Sequence, residues 1–229
     1  MPKNGDKNSR MMAKKEQLLL ELHAAGIEDA RVLKAIRDVP REAFVPTSFK
    51  DDTYTNRALP IGEGQTISQP YVVAFMTHVA HVQAHHKVLE VGMGSGYQAA
   101  ILCKLVRRLF TIERYDSLRQ KAEKALQDIG IYNFSAKTGD GSQGWSEQSP
   151  FDRILVTASA PDVPVSLKNQ LADGGIMIIP LGEKDSEQRL VRITRDADRF
   201  DKYDLGPVKF VPLIGREGGS EESRRRVSS

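Results

Sequence analysis

Residues 87–99, KVLEVGMGSGYQA, decide the fold of this chain. Val88, Leu89 and Val91 form a short apolar run that is typical of a buried parallel strand. The run breaks into glycines spaced G-x-G-x-G, and an apolar helical pattern follows from Gln98 onward. A strand, a glycine turn and a helix form the nucleotide-binding unit of doubly wound α/β folds, where the helix start presents free N–H groups.

The spacing of the glycines indicates which kind of nucleotide the turn binds. The turn is made by three glycines, Gly92, Gly94 and Gly96. A dinucleotide fingerprint needs a small residue where Tyr97 stands, and the G-K-[ST] of an ATP-binding loop is absent from the sequence. A second apolar run, residues 109–112, ends in Glu113, whose carboxylate is placed to accept both ribose hydroxyls. These features together predict an adenosyl-type ligand.

The composition is that of an ordinary globular enzyme. The chain has 229 residues, 40% hydrophobic and 28% charged, which is enough to bury one core. The formal charge of +3 neither indicates nor excludes nucleic-acid binding. Cys103, the single cysteine, is interpreted as a buried hydrophobe. With no apolar run of about 18 residues and no signal peptide, we expect a cytoplasmic protein without a membrane partner.

The sequence predicts a single domain between two disordered ends. Residues 1–10 and 216–229 have compositions typical of disorder. Between them, residues 11–57 are expected to form an N-terminal helical extension and residues 58–215 the cofactor-binding core. The later predicted strands are residues 134–137, 150–160, 174–182 and a final antiparallel pair, 189–195 with 208–213. Five strand–helix steps and a hairpin resemble the methyltransferase version of the doubly wound, Rossmann-like α/β sheet.

Residues 58–71, ALPIGEGQTISQPY, form the second informative stretch. Pro70 is predicted in the first turn of a long apolar helix, with Ser68 just before it. The serine could cap the free N–H groups of the helix, a contribution of about 1 kcal/mol. Alternatively, the polar helix start faces the ligand site and binds an anionic group of the substrate. The spacing alone leaves both interpretations open.

Two further polar groups are weaker indications of a site. Asp140 lies between Gly139 and Gly141 after a predicted strand, where it either accepts a hydrogen bond from an adenine amino group or makes a simple turn. Three histidines fall near one face of the long helix without a cysteine or a paired acid, so no metal site is predicted. They are His78, His81 and His85.

The motifs taken together resemble one family, the bacterial protein-L-isoaspartate O-methyltransferases. The resemblance runs from about residue 33 to residue 214 and includes ALPIGEGQTISQPY, VLEVGMGSGYQAA, TGDG, PFDRILVTASAP, GGIMIIPLG and KFVPL. The glycine turn is common to many S-adenosylmethionine enzymes, whereas TISQP and FVPL are far more particular to this family. The histidine-rich helix end, the polar N-terminus and the Arg-rich tail depart from the family without touching a motif.

The resemblance implies methyl transfer from S-adenosyl-L-methionine to the free carboxylate of L-isoaspartyl residues, leaving S-adenosyl-L-homocysteine. D-aspartyl residues are left open as a second substrate. The methyl ester then closes to a succinimide, which reopens partly as normal aspartate. The implied partners are isoaspartyl-containing proteins and peptides rather than nucleic acid, and the implied form is a cytoplasmic monomer.

The resemblance also implies which residues form the site. Ser68 is the implied catalytic residue, beside the transferred methyl, while Glu113 binds the ribose and Asp140 with Gly141 lies at the adenine. The implied substrate-binding residues are Ile67, Ser68 and Val211. The implied cofactor-binding residues are Thr66, Ser68, Glu90, Gly92, Gly94, Gly96, Glu113, Arg114, Asp140 and Gly141. No metal is implied.

This chemistry agrees with a sequence in which we predict no metal site and no catalytic base. A carboxylate is already ionised at neutral pH, so the nucleophile needs no general base. Alignment of carboxylate, methyl and sulfur is then the main contribution of the protein, worth about 7–11 kcal/mol when the geometry is good. Ser68 is interpreted as a residue that orients the carboxylate, because no G-x-S-x-G nucleophile elbow surrounds it.

Two rival functions stay open at this point. The first is an S-adenosylmethionine enzyme that acts on RNA or on a small molecule. Methylation of nucleic-acid amino groups typically uses an N/D-P-P-[YFW] motif after the fourth strand, and residues 157–161, TASAP, stand in that place. The second rival is a binding protein that keeps the cofactor fold without catalysis.

Overall fold

The computed structural model describes residues 4–183 and 186–219, with side chains from Ser9 onward. Its strands, numbered along the chain, are β1 Leu59–Gly62, β2 Gln65–Ile67, β3 Lys87–Val91, β4 Arg108–Glu113, β5 Phe134–Thr138, β6 Phe151–Val156, β7 Leu171–Leu181, β8 Gln188–Asp196 and β9 Arg199–Val208. Its α-helices are α1 Asn4–Ala24, α2 Ala30–Asp38, α3 Pro70–Val79, α4 Tyr97–Leu105, α5 Asp116–Asp128 and α6 Val165–Asn169.

Seven of the strands form one sheet in the order β5-β4-β3-β6-β7-β8-β9, and β1 pairs with β2 in a small separate ribbon. The five strands from β5 to β7 run parallel. Strands β8 and β9 extend the sheet in antiparallel pairing beyond β7. The predicted α/β class, with a doubly wound sheet and a terminal antiparallel hairpin, is confirmed.

Both faces of the central strand β3 are covered. Val88 belongs to the larger apolar core, which includes residues of helices α1 to α5, whereas Leu89 and Val91 belong to a second core on the other face. Alternate residues of a strand point to opposite faces, so burial of both faces requires apolar residues on both, which Val88 supplies on one face and Leu89 and Val91 on the other. Of the helices that the structure describes, none is long and apolar enough to span a membrane.

The topology creates a crevice at the carboxyl end of β3. The chain crosses from β3 to β4 on one side, while β6 pairs with β3 on the other. Ligands of open α/β sheets bind outside the carboxyl ends of the strands at such a reversal of strand order. The glycine turn that follows Val91 therefore lies at the mouth of this crevice.

Two of the turn glycines are required by both backbone and space. Gly92 has φ +96°, and a Cβ there would lie 2.4 Å from Oγ1 of Thr157. Gly96 has φ +89° and precedes α4, where a Cβ would lie 3.1 Å from Cβ of Ala122 on α5. Side chains rarely adopt a positive φ, so both positions favour glycine strongly. The turn thus serves helix packing as well as ligand access.

The terminal hairpin differs from the prediction in its second strand. Residues 208–213 were expected to pair with β8, but β9 spans Arg199–Val208. Most residues of β9 are exposed and several are charged, because β9 is the edge strand of the sheet. It therefore lacks the apolar alternation that predicts a strand, whereas the apolar residues 210–213 line a cavity.

The two ends of the chain also differ from the prediction where they are described. Helix α1 begins at Asn4, so the predicted disorder of residues 1–10 is wrong from that residue onward. Residues 216–219 are packed against the domain, since Glu217 accepts hydrogen bonds from Ser166 and the N–H of Gly219 donates to Leu213. The remaining part of the predicted tail, residues 220–229, lies outside the described residues.

Candidate active site

A cavity of about 1110 Å³ lies at the carboxyl ends of β3, β4 and β6. It collects residues from both informative stretches of the sequence and from the end of the hairpin. The predicted site residues that line it are Thr66, Ile67, Ser68, Gly92, Gly94, Glu113, Arg114, Gly141 and Val211. Chain segments more than a hundred residues apart in sequence thus meet at one cavity.

Glu113 presents its carboxylate at the end of β4. Its Oε2 accepts a hydrogen bond of 2.7 Å from the N–H of Gly94, and its Oε1 accepts one of 3.0 Å from the N–H of Tyr115. A carboxylate offers about four acceptor positions, so these two bonds fix its orientation without exhausting its capacity. The residue is only 6% exposed and lines the cavity. It can accept further hydrogen bonds from a diol.

Ser68 does not cap helix α3. The N-cap residue is Gln69, and the N–H of Tyr71 donates instead to Oδ1 of Asn56 at 3.0 Å. Among the residues that the structure describes, none forms a hydrogen bond with the Ser68 hydroxyl, while the Ser68 carbonyl accepts one from Arg41 at 2.9 Å. The capping interpretation is therefore wrong. The hydroxyl is left available at the cavity wall.

The last wall of the cavity is the segment that follows β9, and the sequence indicated only Val211 within it. The Val211 carbonyl accepts from the N–H of Ser159 at 2.8 Å, and the N–H of Leu213 donates back to Ser159 at 2.7 Å. Buried Gln188 holds the preceding residue from both sides, accepting from the N–H of Phe210 at 2.6 Å and donating to its carbonyl at 3.1 Å. These bonds fix this wall of the cavity.

Thr157 is a second residue that the sequence did not single out for the site. Its hydroxyl lies 2.6 Å from the carbonyl oxygen of Gly92 and 3.0 Å from that of Val91. Its N–H donates to the Val91 carbonyl at 2.9 Å, and the residue lines the cavity. Thr157 therefore ties the end of β6 to the glycine turn. A lone threonine after a strand carries no sequence signal for this contact.

Gly96 and Asp140 do not line the cavity but hold loops that do. The Asp140 carboxylate accepts from the N–H of Ser142 at 2.9 Å and from the N–H of Arg216 at 2.7 Å. Burial raises the pKa of Asp140, but the hydrogen bonds from Arg216 and Ser142 outweigh it, so the pKa lies below its ordinary value. Next to it, Gly141 reaches the cavity, and a Cβ there would lie 2.5 Å from Cγ1 of Val91.

Glu90 requires a correction, because its side chain faces the protein interior. It is fully buried in β3 and absent from the cavity wall. Its Oε2 accepts from the Thr111 hydroxyl at 2.5 Å, and its buried Oε1 has no hydrogen-bond partner among the described residues. Burial raises the pKa of Glu90 to about 8, opposed by the Thr111 hydrogen bond and supported by the charge of Glu113. We therefore remove Glu90 from the set of residues expected to contact the cofactor.

This buried carboxyl predicts a specific dependence of stability on pH. Between its ordinary pKa of 4.5 and about 8, folded Glu90 keeps a proton that the unfolded chain releases, so the free energy of unfolding falls as pH rises. Glu90→Gln mimics the protonated acid and should remove this loss. We expect its melting temperature to exceed that of the wild type by about 10 °C at pH 8 and to lie close to it near pH 5.

Thermal unfolding between pH 5 and pH 8 checks this expectation. Glu187→Gln is a suitable control, because the side chain of Glu187 is 68% exposed. If the melting temperatures of Glu90→Gln and wild type differed by the same amount at every pH in this range, that result would contradict the raised pKa of Glu90.

The histidines and the cysteine stand apart from the cavity. The rings of His78 and His81 lie 6.2 Å apart, and the described part of the chain contains no group of three His, Cys, Asp or Glu side chains that could hold a metal ion. Cys103 is 7% exposed, and burial raises the pKa of its thiol. The thiol is therefore not activated as a nucleophile.

A doubly wound sheet, a glycine turn after its central strand and a carboxylate after the next strand define a Rossmann-like methyltransferase. The order of the strands and the terminal antiparallel hairpin belong to the same class. The particular family follows from comparison with known proteins. This chain belongs to the family "Protein-L-isoaspartate(D-aspartate) O-methyltransferase (PCMT)", whose model matches residues 13–218.

Similar proteins agree with this assignment over most of the chain. The chain is 54% identical to a protein-L-isoaspartate O-methyltransferase of Parvibaculum lavamentivorans, over 91% of this chain and 94% of that protein. It is 50% identical to that of Dictyoglomus thermophilum, over 90% and 93%. A solved Plasmodium falciparum protein-L-isoaspartate O-methyltransferase in complex with S-adenosyl-L-homocysteine has a TM-score of 0.77 and 28% identity, and the match covers 87% of this chain and 98% of that one.

Proposed function

We propose that this chain is a repair enzyme that transfers the methyl group of S-adenosyl-L-methionine to the free carboxylate of L-isoaspartyl residues in damaged proteins and peptides. One observation carries the proposal beyond family membership. The Ser68 hydroxyl, which has no hydrogen-bond partner among the described residues, lies on the same cavity as the Glu113 carboxylate. This arrangement supports a site for an anionic acceptor and a site for a ribose in one cavity.

The residues around the cavity fit the cofactor. Glu113 retains acceptor positions for ribose hydroxyls, and glycine at positions 92 and 141 keeps the wall clear where any Cβ would collide with its neighbours. We assign direct cofactor contacts to Thr66, Gly92, Gly94, Glu113, Arg114 and Gly141, and we assign Ser68, which the resemblance implied for both sides, to the substrate side. Gly96 and Asp140 then act by holding the loops that carry these residues. When bound, the cofactor supplies a sulfonium-activated methyl group.

The substrate side of the site consists of Ser68, Ile67 and Val211. An ionised carboxylate needs no base, so these residues have to orient it and exclude water. The Ser68 hydroxyl donates one hydrogen bond, which orients the carboxylate and leaves it nucleophilic. Ile67 is 2% exposed, and Leu213, which also lines the cavity, is 6% exposed, so apolar groups shield the reaction from water.

We propose that the enzyme is a monomer. We propose that it acts in the cytoplasm on protein and peptide substrates, without nucleic acid. D-aspartyl residues present a free carboxylate on an altered backbone as well, and they are proposed as a secondary substrate.

A pair of matched peptides tests the proposed function. With labelled S-adenosyl-L-methionine, we expect a peptide containing one isoaspartyl residue to be methylated and its aspartyl twin to be left unmodified. Mass spectrometry should then show conversion of the ester to a succinimide. Equal labelling of both peptides, or labelling of RNA in place of the isoaspartyl peptide, would contradict the assignment and favour the rival S-adenosylmethionine enzymes.

A further inference from the structure

Arg41 is a fully buried arginine next to residues 65–69, called here the Ser68 segment, and no sequence motif indicated it. It lies in the short 3₁₀ turn Arg41–Ala43 within the N-terminal extension and is 0% exposed. Its Nε donates to the Thr53 carbonyl and one Nη to the Ser68 carbonyl, both at 2.9 Å. The guanidinium carbon lies 4.6 Å from the centre of the Tyr97 ring. Arg41 therefore joins the extension, the Ser68 segment and the start of α4.

The charge of Arg41 lacks a carboxylate partner in the structure. Within the described residues, no Asp or Glu lies in salt-bridge distance of its guanidinium, and the second Nη is buried without a hydrogen-bond partner. An arginine side chain stays protonated in proteins, and a buried charge is costly unless an opposite charge compensates it. Carbonyl oxygens and an aromatic ring compensate it only in part.

We propose that Arg41 is a positioning residue for Ser68 whose uncompensated charge favours binding of the substrate carboxylate in the adjacent cavity. Its hydrogen bond fixes the Ser68 backbone, and its positive charge acts on the acceptor through the low-dielectric interior rather than by direct contact. A direct ion pair would hold the carboxylate too strongly for it to attack. The charge of Arg41, which is separated from the acceptor by Ser68, attracts the carboxylate and leaves its oxygens free to attack the methyl group.

The inference rests on the proposed function, and a binding experiment separates the two. The probes are an isoaspartyl peptide and the same peptide with its free carboxylate converted to an amide. Their dissociation constants are measured by calorimetry in the presence of S-adenosyl-L-homocysteine. If wild type does not methylate the isoaspartyl peptide, the proposed function fails. If it does, the ratio of the two dissociation constants reports the preference for negative charge.

Arg41→Met is expected to reduce this preference by about tenfold, because the apolar stem is kept and the charge is removed. The dissociation constant of S-adenosyl-L-homocysteine should stay within about twofold of wild type. Arg41→Lys keeps the charge but loses the planar fork, so the preference should persist while kcat falls about tenfold through looser positioning of Ser68.

Arg153→Met is the matched control. Arg153 is also a buried arginine, donating from Nε to the Ala80 carbonyl at 2.6 Å, but it lies at the start of β6, whereas the cavity lies at the carboxyl end of that strand. Its replacement should lower the melting temperature and leave the charge preference intact.

Three results would overturn the inference. An unchanged charge preference in Arg41→Met means that the arginine is structural only. If Arg41→Met binds S-adenosyl-L-homocysteine more weakly and keeps the preference for the charged peptide, the charge of Arg41 acts on the cofactor and not on the substrate. Should Arg41→Met fail to fold, Arg41→Lys decides, and a loss of preference despite the retained charge rejects the role.

Discussion

Replacement of Ser68 by alanine is expected to lower kcat about 100-fold on an isoaspartyl peptide, because loss of one orienting hydrogen bond lets the carboxylate leave the in-line geometry. The hydroxyl has no hydrogen-bond partner among the described residues, so its removal breaks no internal hydrogen bond and should leave the melting temperature unchanged. Binding of S-adenosyl-L-methionine, measured by calorimetry, should remain close to wild type.

Two controls make the result specific to orientation. Ser68→Thr keeps a hydroxyl and should retain part of the activity. Ser149→Ala removes a hydroxyl that donates to the Ser146 carbonyl away from the cavity wall, and it should retain all of the activity. Full turnover by Ser68→Ala would show that the serine does not orient the substrate. A loss of cofactor binding as large as the loss of kcat would move Ser68 from the substrate side of the cavity to the cofactor side.

The second large effect is expected for Glu113→Gln, which should weaken cofactor binding by about 10- to 100-fold. A hydrogen bond to a charged group contributes roughly 1.5–3 kcal/mol, and the variant loses the charge that strengthens the bonds from the ribose hydroxyls. The amide has only one acceptor oxygen in place of two, so the side chain also loses its hydrogen bond from either Gly94 or Tyr115. Calorimetric titration with S-adenosyl-L-homocysteine measures the effect.

A distant carboxylate provides the control for Glu113. Oδ2 of Asp152 accepts a hydrogen bond of 2.7 Å from the N–H of Lys87 at the opposite end of β3, and Asp152 is not part of the cavity wall. Asp152→Asn should therefore bind the cofactor as wild type does. A Glu113→Gln variant with an unchanged dissociation constant would remove Glu113 from the ribose site. At saturating cofactor, kcat of Glu113→Gln should recover to near that of wild type.

The sequence was sufficient for the parts of the site that depend on local chemistry. The glycine turn and Glu113 follow from the succession of strand, turn and helix, because each of these elements is encoded within a few residues. The spacing around Ser68 left two interpretations open, because whether it caps α3 depended on Asn56, which supplies the capping oxygen from outside the helix. No pattern in residues 65–71 contains that information.

The remaining contacts are long-range and carry no local pattern. Arg41 reaches Ser68 across 27 residues of sequence, and Gln188 holds Phe210 across 22. Glu90 was misassigned for a related reason: alternation along β3 decides which face its carboxylate occupies, and the turn beside it was not informative on that point. Strand β9 escaped detection because an exposed edge has no buried face to impose a pattern.

The long separation between the walls of the cavity has a consequence for how the enzyme acquires its activity. The segments around Ser68 and Val211 come from opposite parts of the chain, so they meet only after the whole sheet has formed, and contacts between distant segments form slowly. Until the segment after β9 docks, the cavity lacks the wall that carries Val211, even where the glycine turn is already formed. We therefore expect methylation only from fully assembled molecules, and recovery of activity during refolding would report the docking of the final hairpin.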